Sequence, residues 1–185
     1  MKAKRISWLN TLFGFTYGLS LMGAAPLAAQ DSCQPVNDAM DKTMTVPTHI
    51  YSTMNTASNG VGKPILAETI YTGGATYVKV ASKWTRGPWT TQQVMKREQE
   101  NRQKSKFSCH YLREESVNGE TAAVYSTHSE TTEQDVGKQT SDGQIWISKS
   151  RGLPLRHEFD LDTGDANKKH HSSRYEYTNV QAPPL

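Results

Sequence analysis

From Pro154 onward the chain alternates strictly. Leu155, His157, Phe159 and Leu161 interleave with Arg156, Glu158, Asp160 and Asp162. A period of two sends successive side chains to opposite faces, so this segment predicts a strand with one face toward a core. A similar texture, rich in Thr, Tyr, Ile and Val, starts at His49 and returns at 67–80, 106–115, 121–129, 144–148 and 169–180. Two stretches switch to spacings of three and four. In 35–44, Val36, Ala39, Met40 and Thr43 share one helical face. From Thr90 or Thr91, either of which suits a helix cap, a second helix runs to about Gln103 with Val94, Met95 and Gln99 inward. The pattern predicts a β-rich α+β chain of seven or eight antiparallel strands and two short helices, with no repeats and no internal linker.

The turns sharpen this reading. Thr72-Gly73-Gly74-Ala75 has the form of a two-residue hairpin turn. It sets Glu68 opposite Lys79, Ile70 opposite Tyr77, Thr69 opposite Val78 and Ala67 opposite Val80, so opposite charges meet and β-branched residues share a face. Val117-Asn118-Gly119-Glu120 is a second hairpin signal. A strand edge is expected to run through Lys83–Trp89. Residues 130–143 are polar and hold Gly137 and Gly143, which predicts a loop or hairpin tip.

The N-terminus changes the picture of charge. Lys2, Lys4 and Arg5 precede an apolar run from Trp8 to Met22, then small residues through Ala29, with the first acid at Asp31. That order predicts a signal peptide over 1–29, removed on export to the periplasm or outside the cell, and a single domain over 30–185. The apolar run is too short and too interrupted for a lasting membrane span. The chain has 21 Lys and Arg against 18 Asp and Glu, but three basic residues lie in the leader, leaving 18 against 18. Such a balance gives no support for nucleic-acid binding, which needs a sustained basic surface. The two cysteines, Cys33 and Cys109, both fall in the exported part, where one structural disulfide is the expectation. A redox pair is the alternative, without C-x-x-C spacing to support it.

No catalytic, phosphate-binding or zinc motif is present. Asp160, Asp162 and Asp165 lack the glycine and closing glutamate of a calcium loop. His170 and His171 are adjacent on a strand and point apart, which disfavours one shared metal. His157 shares a face with Leu155, Phe159 and Leu161, as a core histidine or, less simply, a catalytic base beside Glu68 or Glu158. The hairpin register sets His110 and His128 on opposite faces. No metal or cofactor is expected.

Three passages together resemble the LolA-like superfamily of exported bacterial proteins. They are Thr76–Val80 followed by Lys83-Trp84 and a helix, Gln144–Arg156 with its Gly152-Leu153-Pro154 turn, and the closing Tyr175–Val180. The resemblance implies a curved, unclosed antiparallel half-barrel whose concave face is covered by the helices, with a hydrophobic cavity between. An open curved sheet needs such a cover for its apolar face. The expected lining is Val78, Val80, Trp84, Trp89, Met95, Trp146 and Phe159. The function implied is binding of a lipid, an acyl chain or another apolar ligand in the cell envelope, without catalysis. A regulatory or scaffolding module meeting an envelope protein is the alternative, and a small hydrolase built on His157 is a weaker one.

Overall fold

A computed structural model describes residues 33–55, 63–133, 137–164 and 168–185, without the side chains of Val80 and Glu133. The signal-peptide expectation for 1–29 lies outside the described residues, as does Asp165. The elements are α1 (Gln34–Thr43), β1 (Thr48–Asn55), β2 (Ile65–Thr72), β3 (Ala75–Val80), β4 (Lys83–Thr90), α2 (Thr91–Lys104), β5 (Lys106–Val117), β6 (Glu120–Glu133), β7 (Gly137–Ser148), β8 (Pro154–Asp162) and β9 (Lys169–Glu176). All nine strands form one antiparallel sheet in the order β4-β3-β2-β1-β9-β8-β7-β6-β5. The sheet is open, with β4 and β5 as its two edges.

Chain geometry forces the sheet to curve. Nine strands laid flat span roughly 38 Å at a spacing of about 4.8 Å. The 14 residues of α2 rise only about 21 Å. Yet α2 begins directly after one edge strand, and only Ser105 separates it from the other. The two edges therefore curl toward each other.

The predicted hairpin register holds at every pair: Glu68 opposes Lys79, Ile70 Tyr77, Thr69 Val78 and Ala67 Val80. The Lys79 ammonium lies 2.8 Å from the Glu68 carboxylate. Gly73 and Gly74 both take positive φ, as do Asn118 and Gly119 in the second hairpin, the backbone that tight hairpins demand. Thr90 caps α2 in a reciprocal capping box with Gln93.

Three expectations are corrected. The sheet has nine strands rather than seven or eight, the expected edge through Lys83–Trp89 counting as a strand that pairs with β3 across a register shift between Ala75 and Tyr77. Of the two readings of 130–143, loop or hairpin tip, the loop is set aside: β6 and β7 pair continuously from Ala122–Ser148 out to Glu133–Gly137, the end of a long hairpin. Its Thr, Ser and charged residues suit arms that extend beyond the core. A register shift between Tyr111 and Arg113 makes Leu112 the extra residue of a bulge. Below it Ser108 faces His128 and His110 faces Ser126, so His110 and His128 share a face after all.

The core is built on α1. Val36 and Ala39 pack with Cys109, Ile145 and Ile147, supported by Met40, Phe107 and Tyr125. The expected Cys33–Cys109 disulfide forms at a Cα–Cα distance of 5.1 Å, fixing the start of α1 to β5. The Thr48 hydroxyl donates to the Thr43 carbonyl at 2.8 Å and closes the other end. A second cluster of Ala122, Val124, Trp146 and Leu155 occupies the opposite face. The turn from β7 to β8 ties α1 to the sheet, because Lys42 Nζ donates to the Arg151 carbonyl. Gly152 supplies the positive φ there.

Candidate functional site

Reading across the ladder fixes which side chains face the helices. Ile145 lies under α1, so its neighbours His157 on β8 and Ser173 on β9 share that side. So do the next row, Gly143, Phe159 and His171, and the continuation to Ser52 and Ala67 on β1 and β2. Two cavities open between this concave face and the helices.

The first has a volume of about 230 Å³ and lies between α1, α2 and strands β5 to β8. Val36, Met40, Phe107, Ile145 and Phe159 make its apolar wall, with His157 in its floor and Glu98, Asn101 and Arg102 at the rim from α2. Phe159 can lie here because its partner Gly143 has no side chain. A Cβ on Gly143 would sit 2.2 Å from the Glu158 carbonyl oxygen and 2.5 Å from Phe159 Cβ. Phe159 stacks on His171 at 4.6 Å, and His157 tilts against it at 5.0 Å. Burial, then repulsion from His171, push His157 down to about 4, which keeps its imidazole neutral at pH 7. Burial also lowers His171, helped by His170 and Lys169. Its Nε2 is buried with no hydrogen-bond partner among the described residues.

The second cavity, about 370 Å³, lies at the N-terminal end of α2. Met44, Val46, Pro47 and Tyr71 line it with Met95 from the helix. Burial raises the Tyr71 phenol, which stays protonated.

The cover over both cavities is light. No residue of α2 is fully buried. The helix rests on half-buried Val94, Met95 and Gln99, and a polar latch ties it to α1. Gln99 donates to Asp41 at 2.7 Å, and Arg102 pairs with the same carboxylate.

The structure therefore separates the seven residues predicted as lining. Phe159 lines the first cavity and Met95 the second. Val78 stands on the helix-facing side of β3, opposite Thr69, and Val80, whose side chain is not described, pairs with Ala67. Trp84 and Trp146 are on the other face. Trp84 pairs with Lys79 beside His49, and the Arg156 guanidinium covers Trp146 at 4.7 Å. Trp89 is exposed beside Arg97 of α2. Sequence reasoning missed Phe107, Val36 and Met40 as lining, and Gly143 as the position whose missing side chain leaves room for Phe159. An isolated glycine inside a strand pattern signals a close approach, and Gly143 carried that signal.

The hydrolase arrangement does not assemble. Glu68 binds His49 and Lys79, and Glu158 binds Arg156, both on the face away from His157. Among the described residues, no group of three His, Cys, Asp or Glu is placed to hold a metal ion. None of their helices is long and apolar enough to cross a membrane.

No family model matches the chain, and no curated protein matches it in sequence. Solved structures of similar fold exist. LprF from Mycobacterium bovis aligns over 82% of this chain and 95% of its own, with 10% identity and a TM-score of 0.45. LolA superfamily proteins are among these structural neighbours. One, NE2245 from Nitrosomonas europaea, aligns over 83% of this chain and 95% of its own, with 10% identity and a TM-score of 0.30. MucB, solved in complex with MucA(peri), aligns over 83% of this chain with 12% identity and a TM-score of 0.38. This chain spans 59% of MucB.

Proposed function

We propose that this protein is exported to the cell envelope and there binds an apolar ligand, the acyl chain of a lipid or lipoprotein, between its concave sheet and its helices. The observation that carries the reading is the apolar cavity formed by Val36, Met40, Phe107, Ile145 and Phe159 under a helix that buries no residue of its own. Cavities that enclose small ligands usually measure about 300–1,000 Å³. At about 230 Å³ the first cavity holds a segment of chain, and a longer one is accommodated as α2 swings outward. Each buried methylene contributes about 0.8 kcal/mol, against a latch of one partly exposed ion pair and one amide hydrogen bond. His157 is neutral at pH 7 and adds no charge to the floor.

Native mass spectrometry and lipid extraction of protein taken from cells test the reading, together with titration of a fluorescent fatty acid. Bound lipid mass or saturable probe binding is expected, with faster probe release in Asp41→Ala, which frees α2. Folded protein that carries no lipid and takes up no probe overturns it. N-terminal sequencing of the same material tests export: a chain beginning near Gln30 is expected, and one retaining Met1 refutes that part.

A second reading has its own observation. Tyr111 and Leu112 are 55% and 43% exposed at the bulge of edge strand β5. An edge with unpaired backbone and apolar side chains suits strand addition by a protein partner.

A further inference from the structure

The charge of this chain is not spread evenly. Residues 83–106 hold seven basic residues (Lys83, Arg86, Lys96, Arg97, Arg102, Lys104 and Lys106) against two acids, Glu98 and Glu100. That segment is β4, α2 and the first residue of β5. Arg102 is spent on Asp41, turned toward α1. The remainder of 30–185 carries the compensating negative charge.

The outward side of α2 gathers part of this excess into one surface. Gln93, Arg97, Glu100 and Lys104 follow helical spacing, with Lys96 beside them, and Trp89 stands at the N-terminal end. Together they line a shallow open cleft on the side of α2 away from the sheet. Trp89 is 47% exposed, and the Arg97 guanidinium sits 4.6 Å from its ring centre. Lys96 reaches Glu100 only at 3.9 Å, with most of its side chain in solvent. A half-exposed indole with long basic side chains around it matches the headgroup level of a bilayer, where an amphipathic ring and anionic phosphates are both met.

We propose that this face of α2 docks on an anionic membrane surface, with Lys96, Arg97 and Lys104 against lipid phosphates and Trp89 at the interface. The commitment to a membrane rests on charge complementarity plus the exposed indole. A soluble acidic chain would meet the same charge, and polyglutamate separates that outcome from a membrane. The inference stands independently of the acyl-chain reading, because it uses the outer side of the helix and no cavity residue.

Flotation with vesicles of phosphatidylcholine, alone or with 30 mol% phosphatidylglycerol, tests it on the full chain (about 30 mol% places the surface near physiological charge). The same chain is used in every arm, so any contribution from residues 1–30, which carry Lys2, Lys4 and Arg5, is common to wild type and variants and cancels in that comparison. Binding that requires phosphatidylglycerol and falls with salt is expected. K96Q/R97Q/K104Q should lose roughly 100-fold in affinity, at about tenfold or less per basic residue. K63E/K168E, which removes more total charge elsewhere on the surface, should bind as wild type. Trp89→Phe should reduce the blue shift of tryptophan emission on binding by the share that Trp89 contributes beside Trp8, Trp84 and Trp146, and an unchanged shift overturns the placement of Trp89. Equal partition into both vesicle types, retained binding by the triple glutamine variant, or equal loss in the control overturns the proposal. So does polyglutamate binding as tight as vesicle binding. Failure here with intact fatty-acid binding leaves the cavity reading standing, and the reverse result leaves this one.

Discussion

Desolvation of the half-buried His157 imidazole makes acid sensitivity the sharpest prediction. His157 faces Ile145 and Ser173 across the neighbouring strands and lines the cavity floor. Burial lowers it from the ordinary 6.5 to about 4. Between those values the unfolded chain binds a proton that the folded chain refuses, so stability falls with pH in that window. The contribution is fully present above 6.5 and is lost as pH drops toward 4. Linkage between 6.5 and 4 amounts to about 2–3 kcal/mol by pH 4.5, at 1.36 kcal/mol per unit. The perturbation is His157→Leu, which keeps the apolar surroundings and removes the titrating group. Urea unfolding of wild type and variant at pH 7.5 and pH 4.5 reads the difference directly. Wild type should lose about 2–3 kcal/mol more than the variant between the two conditions. Comparison with the variant cancels His171, which is lowered too, and His128, which Asp142 raises and which works in the opposite sense. An identical pH dependence in both proteins would refute the claim that His157 is held neutral by burial.

Three further outcomes follow from the geometry. Gly143→Ala drives a Cβ into the Glu158 carbonyl and Phe159, and should destabilise by about 1–3 kcal/mol and shrink the fatty-acid site, read by melting and probe titration. Glu120 accepts from Arg151, Ser148 and Ser150, led by the Arg151 pair, and is held near about 2. Glu120→Gln should cost about 1–2 kcal/mol at pH 7. That gap should narrow as pH falls from 4.5 toward 2, where the wild-type carboxylate takes its proton; a constant gap would refute the assignment. Replacing Cys33 and Cys109 together by Ser opens a loop of sequence separation 76. The loss should reach about 4.5 kcal/mol in the chain-entropy model, and an unchanged melting temperature would show that α1 needs no tether.

Local chemistry was enough for every feature set by adjacent residues. The glycine pair at 73–74 and Asn118-Gly119 dictated hairpins, and the first of them fixed a register that pairs Glu68 with Lys79. Thr90 with Gln93 dictated the start of α2. The apolar stripe Val36, Ala39, Thr43 dictated which side of α1 is buried. These follow from backbone sterics and from periods of two and 3.6, which the sequence carries without reference to the rest of the fold. Assigning the tryptophans was beyond it, because alternation says that two residues face apart but not which side a distant helix will cover. Trp84 and Trp146 went to the uncovered face for that reason. The bulge at Leu112 and the shift between Trp146 and Ile147 reset the alternation, bringing His110 and His128 together and moving Leu155 to the Trp146 side. The cavity itself depends on α2 bridging two edge strands that are neighbours in sequence and opposite in the sheet. Only the closed path of the chain in space decides how far the sheet bends and how much room remains beneath.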